Sequence, residues 1–250
     1  DADIIAWFRK VQRYNDFTVP RSQAAADVKG PLPRALDPNE SDQVQSRMVS
    51  LLAGQAGVKT LDLPKPAGSD PRPLEVIGIP LAAGFHVVEI ASPMLGAALL
   101  DERHGSPRTM VVRTSALVTN LGVHFKLGRE NAMAWVTTLD KGQPVAGATV
   151  RVSDCNGKLL ASATTSAQGI AEFKGLSPQP PACAGSDEQT NAYFVSARAS
   201  VSAPGSAARV DDLAFTWSHW QRGIEPWRFN VLTSQDPAPD QRAHTVMDRT

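Results

Sequence analysis

The chain has 250 residues, and its 25 lysines and arginines balance 25 aspartates and glutamates, so its formal charge at neutral pH is zero. A balanced sequence without a basic run gives no long-range field to attract nucleic acid or anionic lipid, which argues against both as partners. No apolar stretch approaches the roughly 20 residues of a membrane span, and the first residues, Asp-Ala-Asp, lack the features of a secretory leader. The length predicts two compact units.

Residues 1–114 are predicted to form the less regular unit, which opens with a helix. Asp3 is the expected N-cap, and the helix is expected to end near Asn15. Its apolar residues recur at three- and four-residue spacing; they are Ile4, Ile5, Phe8 and Val11.

A polar, proline-rich passage at 20–38 separates this helix from the rest of the unit. Short strands are then predicted at Gln43–Leu51, Val58–Leu63, Leu74–Ile79, Phe85–Ala91 and Met110–Thr114. Prolines between positions 64 and 80 confine such strands to sheet edges and exclude a long helix. We therefore expect a smaller or decorated β-sandwich.

Residues 115–234 are predicted to form a seven-stranded antiparallel β-sandwich. Connections such as Asn156-Gly157 separate short apolar segments at regular spacing, and a tight hairpin needs a residue that tolerates positive φ. The expected strands are Leu117–Leu127, Asn131–Leu139, Ala148–Ser153, Leu159–Thr165, Ile170–Phe173, Asn191–Ala199 and Val210–Trp217. The predicted fold class of the chain is all-β, with two sandwiches in tandem and a short N-terminal helix.

Residues 235–250 are expected to be a linker and the start of a further domain. Arg242–Thr250 alternates between polar and apolar residues, like the first strand of a sheet. On this basis the chain is expected to be a piece of a longer protein.

The two cysteines, Cys155 and Cys183, both fall in predicted loops. A disulfide between them would close a loop of about 29 residues and contribute on the order of 3.5 kcal/mol to the free energy of unfolding. It would also indicate an oxidising compartment. The alternative is two free thiols, whereas a metal site is disfavoured because cysteine ligands usually come in closely spaced pairs.

Signals for catalysis are weak. The histidines form no ligand pair and no nucleophile elbow is present; the histidines are His86, His104, His124, His219 and His244. Asp154 and Asn156 resemble the start of a calcium loop, but the later ligands are absent, so a hairpin turn is the better interpretation. Asp211 and Asp212 are adjacent in a strand and point to opposite faces, which argues against a carboxylate pair. We expect no catalytic residue, metal or cofactor.

The run 215–229 is the densest aromatic segment. It carries Trp217, Trp220 and Trp227, with arginines at Arg222 and Arg228. Exposed, these side chains would form a platform for a sugar or a protein partner. Alternatively, the segment packs against a neighbouring domain with its rings buried.

Several stretches resemble bacterial alpha-2-macroglobulins. They are Arg-Thr-Ser-Ala-Leu-Val-Thr-Asn-Leu-Gly-Val-His-Phe-Lys at 113–126, Trp-Val-Thr-Thr-Leu at 135–139, and the segments 84–90, 95–100, 223–229 and 242–250, in the same order as in that family. The resemblance covers roughly residues 74–250. It implies macroglobulin-like domains, which are fibronectin-III- or Ig-like β-sandwiches.

Such a resemblance also implies a large periplasmic protein, often anchored to the inner membrane by N-terminal lipidation, that traps proteases. In that family a protease cuts a bait segment, and a Cys-x-Glu-Gln thioester can then bond to the attacker. Here Cys183 is separated by four residues from Glu188-Gln189, so the spacing departs from that motif. Neither reactive element is expected in this chain.

The chain is therefore expected to be a non-enzymatic scaffold of a protease inhibitor. The expected partners are proteases, engaged through the longer protein, and a penicillin-binding protein of the cell envelope is a further candidate. The alternative function is a cell-envelope adhesion or glycan-binding module whose contact surface is Trp217, Trp220 and Trp227.

Overall fold

The computed structural model describes residues 1–34, 42–62, 78–100, 108–183, 191–202 and 209–218. The first half contains three helices, two short strands and a hairpin: α1 (Ala2–Arg13), β1 (Thr18–Pro20), α2 (Arg21–Asp27), β2 (Gln43–Gln45), β3 (Gly84–Ser92), α3 (Pro93–Leu99) and β4 (Met110–Val118). Strand β1 pairs with β2 and β3 with β4, both antiparallel. None of the helices in the described ranges has the length and apolar composition that a membrane crossing requires.

The second half forms a sandwich of seven antiparallel strands: β5 (Leu121–Leu127), β6 (Asn131–Thr138), β7 (Thr149–Ser153), β8 (Leu159–Thr164), β9 (Ile170–Lys174), β10 (Phe194–Ser202) and β11 (Arg209–Trp217). One sheet has the order β5-β6-β9 and the other β11-β10-β7-β8. Alternate residues of both sheets, such as Val136 and Val195, point into one shared core, as the two-residue period of a strand requires. The predicted fold class and the seven strands of this sandwich are confirmed.

The predicted strand Leu117–Leu127 is wrong in one respect, because the chain leaves β4 at Val118 and starts β5 at Leu121. Asn120 causes the break. Its main-chain N–H donates to the buried Asp212 carboxylate at 2.7 Å, and its side-chain oxygen accepts from Asp140 N at 3.0 Å. The main-chain N–H of Asn120 is thereby diverted from strand pairing, while its carbonyl accepts from Leu139 N at 2.8 Å. The last predicted strand but one also shifts, since β10 runs to Ser202.

Helix α1 begins two residues earlier than expected. Asp1 holds the N-cap position, so Asp3 as the cap is wrong; Asp3 lies in the first turn, where an acid favours the helix dipole. The helix buries Ile5 and Val11, two of the predicted apolar residues. After α1 the predicted strand Gln43–Leu51 ends at Gln45 and continues as a 3-10 turn, Ser46–Met48.

The remaining predictions for the first unit have mixed outcomes. Phe85–Ala91 is confirmed as part of β3, whereas residues 58–62 are not a strand and 63–77 lie outside the described residues. The predicted boundary between 114 and 115 falls inside β4, and residues 1–218 cluster as one compact unit. The division into domains at 1–114, 115–234 and 235–250 stays a prediction.

An ion pair buried inside the first unit joins its irregular segments. The Arg113 side chain is 2% exposed and its Nε lies 3.5 Å from Glu89 Oε1, an ion-pair distance rather than a hydrogen bond. The guanidinium Nη atoms donate to four main-chain carbonyls, those of Tyr14, Ser46, Val49 and Val111. Burial lowers the pKa of Arg113, and the Glu89 carboxylate opposes that shift.

Glu89 completes the network on the other side of the pair. Its carboxylate accepts from Ser50 Oγ at 2.6 Å and from the main-chain N–H groups of Leu51 and Leu52. A buried charge is tolerated when it is paired and hydrogen-bonded, and both partners meet that condition here. The pair therefore holds together the end of α1, the 3-10 turn and the β3–β4 hairpin.

We predict that Arg113→Ala lowers the free energy of unfolding by about 3–5 kcal/mol, because it leaves Glu89 charged and buried without its partner. Denaturant unfolding followed by circular dichroism measures the change. Arg47→Ala is the control, since Arg47 is exposed on the neighbouring 3-10 turn and its loss is expected to cost less than about 0.5 kcal/mol. Equal effects of the two substitutions would show that the buried pair contributes nothing.

Candidate functional site

Neither histidine in the described ranges is part of a polar cluster. His86 Nε2 lies 2.8 Å from its neighbour Ala82 O, and the His124 ring lies against Trp135 with centroids 5.7 Å apart. His104, His219 and His244 lie outside the described residues. Within those ranges no group of three His, Cys, Asp or Glu side chains is placed to hold a metal ion. The distinctive features of the chain are instead surfaces for packing.

The outer face of the four-stranded sheet is aromatic, which is unusual for the outside of a sandwich. Tyr193, just before β10, and Val195 within it belong to the sandwich core, so Phe194 between them points outward. Across the pair β10–β11, Phe194 is the register partner of Trp217 and Ser196 that of Phe215. An outward face of this composition needs a cover.

Helix α1 provides that cover. The Phe8 ring lies 6.3 Å from Phe215 and 5.9 Å from Trp217, while Phe194 lies 5.0 and 5.1 Å from the same two rings. Phe85 of β3 joins the group at 5.9 Å from Phe215. We call these five residues the aromatic cluster. Centroid distances in this range are those of favourable edge-to-face and tilted pairs, worth about 0.5–1.5 kcal/mol each beyond their burial.

A polar contact fixes the start of α1 on the same sheet. The Asp1 carboxylate, 4% exposed, accepts from Arg198 Nη2 at 2.6 Å and from Ser196 Oγ at 2.9 Å. Arg151 Nε lies 3.7 Å away as a second ion-pair partner. Charge-assisted bonds to a shielded carboxylate are among the stronger ones in a protein. Asp1 and Phe8 are seven residues apart, two helical turns, and therefore lie on one face of α1.

The last turn of α1 belongs to the first unit. Val11 and Tyr14 pack in a separate buried cluster with residues of β1, α2 and β2. Asp27 at the end of α2 accepts from Arg13 Nη1 at 2.7 Å and from the Tyr14 hydroxyl at 3.4 Å. Burial, and then the nearby Asp27 carboxylate, raise the pKa of Tyr14. Helix α1 thus lies between two cores.

The turn between β7 and β8 touches α1 as well. Gly157 has φ of +85°, and a Cβ placed there would lie 2.7 Å from Ala2 Cα. Asp154 Oδ1 accepts from the N–H groups of Asn156 and Lys158, which is the geometry of a tight hairpin turn. The predicted hairpin turn at Asp154 and Asn156 is confirmed. Only glycine fits this turn beneath the helix.

The cysteines of that region form a disulfide between Cys155 and Cys183, with Cα atoms 5.8 Å apart. Both residues are buried. The bond ties the loop after β9 to the β7–β8 turn, and so to the end of the sheet where α1 begins.

Asp211 and Asp212 lie side by side in β11, the first exposed and the second buried, as predicted for opposite faces.

Of the five residues predicted to contact another domain or a partner, the structure describes only Trp217. Trp217 packs in the aromatic cluster, while Trp220, Arg222, Trp227 and Arg228 lie outside the described residues. A role of any of the five in contacts with another domain or a partner stays a prediction.

Sequence reasoning missed the partners of Trp217 and the role of Asp1. One signal was available: the run Tyr193-Phe194-Val195 places large apolar side chains on both faces of β10, which indicates that both faces are covered. No sequence pattern near Phe194 indicates that helix α1, nearly 200 positions earlier in the chain, covers this face.

A second surface is apolar and exposed. It consists of α3 and the adjoining ends of β3 and β4, and we call it the apolar patch; its large side chains are Ile90, Met94, Leu95, Leu99 and Val112. Met94 is 82% exposed and Leu99 65%. Residues 90–100 contain no charged side chain. Contiguous exposed apolar surface of this kind is typical of sites of protein contact.

Comparison with known proteins points to one family. Residues 118–236 match the model of the bacterial alpha-2-macroglobulin MG3 domain. No curated protein matches the sequence.

Among solved structures, native alpha-2-macroglobulin from Escherichia coli spanning domains MG0-NIE-MG1 is 18% identical; the match covers 42% of this chain and 27% of that one, with a TM-score of 0.30. The same protein spanning domains NIE-MG1 is 20% identical, over 41% of this chain and 39% of that one, with a TM-score of 0.29. The extracellular domains d3-d4 of rat CD45 are 10% identical, over 66% and 84%, with a TM-score of 0.24. The chain spans well under two thirds of either E. coli structure.

We predict that reducing the disulfide lowers the free energy of unfolding by about 3.5 kcal/mol, since a cross-link restricts the unfolded chain. In a domain of this size the thermal midpoint should fall by about 10 °C. Thermal unfolding with and without reductant measures the shift. The control is Cys155→Ala with Cys183→Ala, whose midpoint should be low and unaffected by reductant; an unchanged midpoint in the native chain would contradict the prediction.

Proposed function

Since the chain carries an MG3 domain of the bacterial alpha-2-macroglobulin family at residues 118–236, we propose that it is a non-enzymatic framework segment of a broad-spectrum protease inhibitor of that family. In this role the chain keeps its own fold and provides contacts to other parts of the inhibitor while a protease cuts a distant bait segment. The family match carries this proposal.

The use of buried charge supports a framework role. Three charged residues in the described ranges are buried over the whole residue, side chain and main chain together; they are Asp27, Arg113 and Asp212. Each is bonded to main-chain groups or to an opposite charge that holds two segments together. Catalytic groups are usually poised in a cleft with a substrate side left open, and these three are not.

One exposed surface suits the contact role, and a second feature fixes the point where the chain leaves the sandwich. The apolar patch is exposed, and its residues 90–100 carry no charged side chain, as in the centre of a protein interface; the Arg108 guanidinium donates to Ala97 O at 3.2 Å. The aromatic cluster lies where the chain leaves β11, at Ser218, whose N–H donates to Tyr193 O at 2.9 Å and whose hydroxyl accepts from Tyr193 N at 2.8 Å. These bonds fix the last described residue firmly to the sandwich.

The proposal places the chain in the periplasm, as part of a protein held at the inner membrane by a lipid anchor outside this chain. The disulfide supports a compartment that permits such bonds. Proteases are the proposed partners of the longer protein. A penicillin-binding protein of the cell envelope is a further proposed partner, for which the described residues offer no specific site.

The alternative is an adhesion or glycan-binding module that uses Trp217, Trp220 and Trp227. Its weak point is Trp217, whose ring packs against Phe8 and Phe194 instead of standing free for a ligand. Titrating the tryptophan fluorescence of the chain with peptidoglycan fragments separates the two functions. We expect no saturable change, and a saturable one would favour the binding module.

We predict that the chain incubated with trypsin, elastase and subtilisin gives neither stoichiometric inhibition nor a covalent conjugate stable to denaturation. Mass spectrometry should show cuts outside the sandwich while the segment 118–218 persists, because closed antiparallel sheets are poor protease substrates. The control is the same chain unfolded by reduction and denaturant, which should be digested throughout. A covalent conjugate, or loss of the sandwich at the same rate as in the unfolded control, would overturn the framework proposal.

A further inference from the structure

Helix α1 faces the sandwich with the side on which Asp1, Ile5 and Phe8 lie, and Ile5 is buried there. Phe8 supplies the aromatic contact and Asp1 the ionic one. The remaining bond, Arg9 Nη1 to Asn156 Oδ1 at 3.4 Å, is exposed and weak. The interface therefore has two strong points, both on one face of the helix.

The sandwich core is independent of α1. Every residue of that buried core lies between Leu121 and Ala214, and none belongs to the helix. Withdrawal of α1 would uncover the outer face of the four-stranded sheet and leave the inner face packed. In energetic terms this is a local opening rather than unfolding.

The helix would also keep its own support if it left the sheet. Val11 and Tyr14 remain in the first unit's cluster, and the bonds of Arg13 and Tyr14 to Asp27 do not involve the sandwich. The carbonyl of Tyr14 is held by Arg113. An isolated helix of 12 residues is marginal in water, so this second anchorage is what keeps α1 folded.

From these contacts we infer that α1 is a releasable strap. It fastens the first unit to the outer face of the sandwich through Phe8 and Asp1, and its release exposes Phe194 and Trp217 without disrupting either core. Phe85 and the β4–β5 connection keep the two parts joined when the strap opens. The inference goes beyond the proposed framework role and does not depend on it, because it concerns only contacts within this chain.

Thiol labelling of the full chain tests this inference directly. Ser196→Cys places a reporter on the sheet face beneath α1, where Ser196 is fully buried, and Ala134→Cys places one in the sandwich core. The hydrogen bond of Ser196 to Asp1 is lost in every background that carries the first reporter, so comparisons among backgrounds remain matched. Labelling rates under native conditions report how often each site opens.

We predict that Phe8→Ala accelerates labelling at position 196 by about a hundredfold and at position 134 by less than about threefold, because it removes the main apolar contact of the strap only. Asp1→Asn should accelerate labelling at 196 by about tenfold, by removing the charge shared with Arg198 and Arg151. The matched control is Phe17→Ala, a phenylalanine that is 65% exposed just after α1, and it should change neither rate.

The outcomes are decisive in both directions. Selective acceleration at 196 in the Phe8 and Asp1 variants supports a strap that opens alone. Equal acceleration at 196 and 134 would mean that losing α1 unfolds the sandwich, and no acceleration at 196 would mean that Phe8 and Asp1 do not hold the helix; either result overturns the inference. Denaturant unfolding of each variant separates a local opening from a loss of global stability.

Discussion

The first half of the chain depends on the buried pair of Arg113 and Glu89. In its described residues this part has two-stranded sheets and short helices, which are joined by irregular segments such as the one after β2. The guanidinium binds carbonyls at the end of α1 and of the segment Ser46–Val49, and the carboxylate binds N–H groups of Leu51 and Leu52 just after that segment. Because unpaired main-chain groups are costly when buried, the pair decides how these segments come together.

The position of α1 follows from that arrangement. Tyr14 at the end of the helix is held through its carbonyl by Arg113 and through its hydroxyl by Asp27, so one side of α1 is fixed to the first unit. The other side then lies across the aromatic face of the sandwich. A helix shared by two cores couples them, but it couples them through few contacts. Such a joint suits a protein whose parts move relative to each other while each core stays intact.

The sandwich itself is fastened at its ends. Asn120 and the buried Asp212 close the end where the chain enters, and the disulfide closes the end nearer to the start of α1. Local turns such as Asp154–Lys158 need no distant partner, whereas these closures join positions 92 and 28 residues apart. A framework role is consistent with this distribution, since the bonds resist opening at both ends and leave the outer surfaces available for contact.

The sequence by itself determined the seven strands of the sandwich, the hairpin turn at Asn156-Gly157 and the opposite faces of Asp211 and Asp212. These follow from the two-residue period of a strand and from the φ that a tight turn demands, both of which are local. Tertiary structure alone decided the break at Asn120, the turn after Gln45 and the cover over Phe194. Those features depend on bonds between distant positions, such as Asn120 with Asp212 and Arg113 with Ser46, or Asp1 with Arg198 across 197 residues. A local pattern states that a face is apolar, but only the folded chain brings its partner to it.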